Sequence, residues 1–137
     1  MTEYGHVLVD HTSEVTVRLR APTFFGLISE ATAAFGDLVP SSSKRGWSAE
    51  RRTLRQHGGD HAAILVGWLN ELVYLAEVDQ WLPVELECLG EGDGAIDLRA
   101  RGVGLDRPFV SVKAATLYNA TAREGRDGWE AEVTLDV

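Results

Sequence analysis

The sequence predicts an α+β fold, and three observations predict it. Apolar residues recur at helical spacing in two stretches, after Thr23 and after Asp60, and at strand spacing almost everywhere else. Both helical stretches precede an uninterrupted run of four strands, and the chain opens on a hairpin. The expected order is β-β-α-β-α-β-β-β-β, a two-layer sandwich of a mixed or antiparallel sheet with two helices on one face.

Residues 6–10 and 14–20 alternate as two strands. The turn between them, Asp10-His11-Thr12-Ser13-Glu14, holds two carboxylates and an imidazole between the β-branched runs Val7-Leu8-Val9 and Val15-Thr16-Val17, so its acids are held in place. From Thr23, a suitable N-cap, Phe24, Leu27, Ile28, Ala31, Phe35 and Leu38 follow the i, i+3, i+4, i+7 spacing of an amphipathic helix, which Pro40 and three serines end. Residues 46–56 read as a polar edge strand. The second helix starts at Asp60 and carries Leu65, Trp68, Leu69, Leu72 and Leu75 on one face, widened by Ile64, Val66 and Val73, which makes it the core helix. Strands over 83–89, 95–102, 111–122 and 128–137 complete the chain, with glycine-rich turns between them. The last strand separates Trp129, Ala131, Val133, Leu135 and Val137 from Glu130, Glu132, Thr134 and Asp136 by strict alternation.

Composition narrows the class of function. At 137 residues, 45% hydrophobic and 25% charged, with no repeat, linker or low-complexity tract, the chain is expected to be one soluble domain spanning residues 1–137. The longest apolar run, Ala62 to Leu69, is far short of a membrane span, and no secretory leader is visible, so a cytoplasmic location without membrane attachment is expected. Cys88 is the only cysteine, which excludes an intrachain disulfide and a thiolate zinc site within one chain. A net charge of −8 argues against broad nucleic-acid binding, which needs Lys and Arg to neutralise phosphates. Charge is nonetheless unevenly placed. Lys44, Arg45, Arg51, Arg52 and Arg55 cluster on the expected edge strand, where they either protect the edge or meet an acidic partner or phosphates, whereas residues 77–97 hold seven acids and no base.

Few motifs carry chemistry by themselves. His57 and His61 straddle Gly58-Gly59 and make a poor metal pair, and no H-E-x-x-H, G-x-x-x-x-G-K, G-x-G-x-x-G or G-x-S-x-G pattern occurs. If the first and last strands are neighbours, Asp10 or Glu14 meets Asp136 and the α-carboxylate of Val137, provided the chain ends there. These acids are either solvated residues of a polar face or a mutually repelling cluster that calls for a cation, and all-oxygen donors suit Mg²⁺ or Ca²⁺ better than zinc. Lys113 matters only if it faces them.

Four segments together resemble a known family. The turn Asp10-His11-Thr12-Ser13-Glu14-Val15 is similar to the H-T-A-D turn of the archeases, and Trp68-Leu69-Asn70-Glu71-Leu72 to their W-L-N-E-L helix. Val112-Lys113-Ala114-Ala115-Thr116 is similar to their V-K-A-x-T strand, and Leu135-Asp136-Val137 to their chain-terminal L-D-[IVL]. The resemblance implies a non-enzymatic accessory protein of the RtcB-class RNA ligase, which joins tRNA halves; archeases promote its GTP-dependent guanylylation and multiple turnover. It further implies that Glu14, Asp136 and Val137 hold a divalent cation, Ca²⁺ or Mg²⁺, and that Lys113 is a functional lysine, with Asp10 and His11 secondary candidates. Glu14 stands where the family usually has Asp, Tyr118 where many members have His, and Phe25-Gly26 where acids are usual. Two other expectations remain open: a metal-dependent enzyme acting on a small phosphorylated substrate, and an interaction or chaperone module of the same fold without a ligase partner.

Overall fold

The computed structural model describes residues 3–10 and 13–137. Its elements are β1 (Gly5–Asp10), β2 (Glu14–Ala21), α1 (Phe24–Leu38), a short 3₁₀ turn (Ser41–Ser43), β3 (Lys44–His57), α2 (His61–Glu77), β4 (Trp81–Gly92), β5 (Ala95–Leu105), β6 (Ala114–Gly125) and β7 (Gly128–Asp136). The α+β class and the element order are those expected. Both caps are too: Thr23 Oγ1 accepts from the Gly26 amide at 3.0 Å, and Asp60 Oδ1 from the Ala63 amide at 2.8 Å.

The strands divide over two antiparallel sheets rather than lying in one. The first has the order β1-β2-β7-β6, the second β3-β5-β4. Each helix touches both sheets: α1 packs on β1, β2 and β7 and also on β4, while α2 packs on β6 and also on β3, β4 and β5. The reason is visible in α2, whose Ile64, Leu65, Val66, Trp68, Leu69, Leu72, Val73, Leu75 and Ala76 are all buried, a girdle too wide for one sheet to cover. Trp68, wholly buried, donates from Nε1 to Thr32 Oγ1 on α1 at 2.8 Å, and Thr32 donates in turn to the Ile28 carbonyl, so the one polar link through this part of the core is satisfied. The β4–β5 hairpin turns through Asp93 and Gly94, both left-handed with φ 52° and 72°, as a tight turn between right-twisted strands requires.

β3 is an edge strand, as its sequence suggests, and its basic run is largely consumed within the fold. Lys44 Nζ donates to the Gly36 carbonyl near the end of α1, Arg45 pairs with Asp106, Arg55 with Asp97, and Arg52 with both Glu50 and Asp79. Among the described residues no helix is long and apolar enough to cross a membrane.

Candidate functional site

The site is assembled by the β2–β7 ladder. Strand alternation buries Val15, Val17 and Leu19 on β2 and Ala131, Val133 and Leu135 on β7, so the residues between them face away from the helices. Paired residues share a face, and down this outer face Arg20 stands opposite Glu130, Arg18 opposite Glu132, Thr16 opposite Thr134 and Glu14 opposite Asp136. The first two rows are ion pairs, at 3.0 and 3.4 Å. The last row sets two exposed carboxylates against each other.

Backbone hydrogen bonds bring the other candidates to that row. Asp136 pairs on its other side with Ala114 of β6, and its carbonyl accepts from the Lys113 amide at 2.8 Å. The Val137 amide donates to the Ser13 carbonyl at 3.1 Å, which fastens the last residue to the turn before Glu14. Glu14, Lys113, Asp136 and Val137, drawn from three separate stretches of sequence, thus meet at one end of one sheet. Lys113 lies just ahead of β6 rather than within a strand, and it is exposed. Among the described residues none of Glu14, Lys113 and Asp136 takes part in an ion pair.

The remaining candidates are less informative. Asp10 pairs through its backbone with Val15, one register position from Glu14. His11 lies outside the described residues. His61 packs edge-on against Phe24 and Trp129, with ring centroids 4.6 Å from each, and so belongs to the packing rather than to a metal pair with His57.

A divalent cation fits the chemistry of this end. Two exposed carboxylates and the main-chain carbonyl of Val137 are hard donors, and directly opposed like charges are stabilised by a cation between them. Among the described residues no group of three His, Cys, Asp or Glu side chains forms, so the carboxylate pair needs main-chain oxygen or the turn to complete a donor set.

Two features, one at the site and one away from it, escaped sequence reasoning. Asn70 of α2 reaches the free edge of β6, where its side chain accepts from the Ala115 amide at 2.8 Å and donates to the Ala115 carbonyl at 3.1 Å. It replaces a neighbouring strand at the residue that follows Ala114, and thereby fixes the segment carrying Lys113. An asparagine inside an apolar helix stripe was the available signal. The second is a histidine between carboxylates: His6 on β1 meets Glu30 at 3.0 Å through Nδ1 and Asp37 at 2.7 Å through Nε2. Partial burial works against its charge, but hydrogen bonds to Glu30 and Asp37 and their negative charge outweigh it, so its pKa is raised. Glu30 and Asp37 are seven apart on α1, hence on one helix face; only the β1–α1 packing puts His6 between them.

Comparison with known proteins places this geometry in a family. The archease protein family model matches residues 6–137. Protein archease of Methanosarcina mazei is 26% identical over 137 residues, covering 94% of this chain and 93% of its own length. The probable protein archease of Mycobacterium tuberculosis is 30% identical, covering 99% of this chain and 76% of its own length. The crystal structure of an archease from Thermotoga maritima superposes with a TM-score of 0.66 at 12% identity, covering 94% of each chain. The solution structure of a Methanobacterium thermoautotrophicum protein gives 0.61 at 20% identity, covering 97% of this chain and 99% of the other. A family match over nearly the whole length and a shared fold agree: the chain belongs to the archease family.

Proposed function

We propose that this chain is a non-enzymatic activator of an RtcB-class RNA ligase in the cytoplasm, acting through the sheet end that carries Glu14, Lys113, Asp136 and Val137. The observation that carries this reading is the Glu14–Asp136 row, where the ladder sets two exposed carboxylates face to face beside Lys113 and Val137. A fold that only needed a solvated sheet face would pair them, as it pairs Glu130 and Glu132.

The role of each residue follows from its chemistry. Glu14 and Asp136, with the main-chain carbonyl of Val137, would hold Ca²⁺ or Mg²⁺, which when bound supplies positive charge at a site where triphosphate charge has to be stabilised. Lys113 adds a mobile ammonium on the same surface, suited to orienting phosphate oxygens as a point charge. Nothing in this arrangement requires a nucleophile or a general base on the chain itself; the bond-making groups belong to the ligase.

Reconstitution tests the reading. With the cognate ligase, GTP and RNA ends in excess over enzyme, adding this chain is expected to raise both the number of turnovers and the guanylylated fraction of the ligase. A ligase whose turnover and guanylylation are unchanged at any concentration of the chain would overturn it. Phosphoester hydrolysis by the chain alone, lost on Asp136→Asn, would instead make it an enzyme.

A further inference from the structure

The second sheet carries a row of like charges of the opposite sign. On β5, Ile96, Leu98 and Ala100 are buried, so Asp97, Arg99 and Arg101 face outward, and β3 sets Arg55, Thr53 and Arg51 against them in register. Arg55 pairs with Asp97, while β4 supplies Glu87 to Arg99 and Glu85 to Arg101. Arg51 is left over. It is exposed, stands directly opposite Arg101 and, among the described residues, takes part in no ion pair. Directly opposed like charges cost stability, and an anion against them removes that cost.

An irregular stretch of β3 brings an aromatic ring to this row. From Lys44–Leu105 to Trp47–Val103 β3 advances three residues while β5 moves two, and from there to Arg51–Arg101 it advances four while β5 again moves two, so three residues of β3 are extra. The second excursion is pinned by Glu50, whose amide donates to Ser48 Oγ at 3.1 Å and whose carboxylate accepts from Arg52 at 2.8 Å. Trp47 and Arg51, four apart in sequence, thereby come to neighbouring outward rows, about 7 Å apart along β5. Glu50 is the only acid of β3, and it is taken up by Arg52, which reaches Asp79 at 2.6 Å and leaves Arg51 unanswered. The Arg101 guanidinium lies 4.3 Å from the Trp47 ring centroid, so one face of the ring is held while 51% of the residue stays exposed.

We propose that Trp47, Arg51 and Arg101 form a binding site for single-stranded nucleic acid, with a base stacked on the indole and a phosphate against the two facing guanidinium groups. An exposed aromatic beside arginine is the combination that holds single strands without reading their sequence, and the unmatched row supplies the charge a phosphate needs. An acidic protein would find no apolar border here, because Trp47 is the only exposed large apolar residue on β3 and β5. The net charge of −8 confines the attraction to this patch and makes it weak and salt-sensitive. The site lies on the other sheet from the Glu14–Asp136 row and is independent of the activator reading.

Fluorescence anisotropy of labelled oligomers, with the chain alone at ~50 mM salt, tests it. RNA and DNA single strands of one sequence are both expected to bind, since neither stacking nor phosphate pairing reads the 2′-hydroxyl, with a log–log salt slope of roughly −0.7 to −1.4 for one or two phosphates. The duplex is expected to bind about tenfold more weakly or worse, because its bases are already stacked. Trp47→Ala is expected to raise the dissociation constant about tenfold or more and Trp47→Phe to keep most of the binding, while Tyr74→Ser on α2 behaves as the unaltered chain. Arg51→Glu turns the like-charge row into an attractive pair, so it is expected to lose binding while unfolding at no lower temperature, which separates loss of the site from loss of the fold. No binding of either single strand overturns the proposal. So does binding that Trp47→Ala and Arg51→Glu leave unchanged, or a duplex bound as tightly as a single strand. Polyglutamate that competes as well as RNA overturns it too and assigns the patch to an acidic protein.

Discussion

Glu132 and Asp136 lie four residues apart on one strand, face the same way and are both exposed, yet β2 answers the first with Arg18 and the second with Glu14. Moving down the ladder from Arg20–Glu130 to Glu14–Asp136, the sheet face passes from matched pairs, through a row of threonines, to two like charges. The same cross-strand geometry that makes an acid innocuous at one end makes it a liability at the other. Carboxylates arranged for solubility alone would gain from alternation with arginine throughout. The unmatched row is thus the part of the face that folding does not favour, and it is where Lys113 and Val137 converge.

Breaking this contrast begins with the cation. At ~100 times its dissociation constant, a divalent ion that binds only the folded chain adds about 2.7 kcal/mol of stability. Ca²⁺ or Mg²⁺ is expected to raise the unfolding temperature of the unaltered chain and of Glu132→Gln, and to leave Asp136→Asn where it was. A response equal in all three would place binding elsewhere. Next in size, Asn70→Ala removes both hydrogen bonds from the β6 edge and is expected to cost about 2 kcal/mol in denaturant unfolding.

His6 offers a third test on the helix-facing side of the same sheet. Its folded pKa lies above the ordinary 6.5, so the stabilisation it provides is complete below that value and is lost as pH rises through the raised one. Unfolding free energy measured across this window is expected to fall with rising pH, and His6→Gln to flatten that slope. The smallest effect belongs to the matched end: Arg20→Ala, which leaves Glu130 half-exposed, is expected to cost roughly 0.5 kcal/mol, shrinking in high salt. A cost well above 1 kcal/mol would mean that the matched rows are more than a solvated ladder.

What the sequence made legible follows the range of its signals. Period and caps placed α1 and α2, because Thr23 and Asp60 act on their own first turns. Strict alternation in β7 gave Asp136 its outward face, and the resemblance singled out Glu14, Lys113 and Val137 before any contact was known. The division into two sheets was not legible, since β4, β5, β6 and β7 alternate alike whether they join one sheet or two; only the width of the α2 girdle hinted that helices would be covered from both sides. Nor was the irregular stretch of β3, because Trp47 and Arg51 read as ordinary edge-strand residues until their register against β5 is known. His6 joined Glu30 and Asp37 for the same reason: the pairing is between elements, and local pattern does not carry it.

The contrast between the two ends of the ladder is tested most directly by ligation with RNA ends in excess, comparing the unaltered chain, Asp136→Asn and Glu132→Gln at equal, saturating concentration. Stimulated turnover is expected to be kept by Glu132→Gln and to fall about tenfold or more in Asp136→Asn, with all three proteins equally folded. Equal stimulation by all three would contradict a functional role for the unmatched carboxylates.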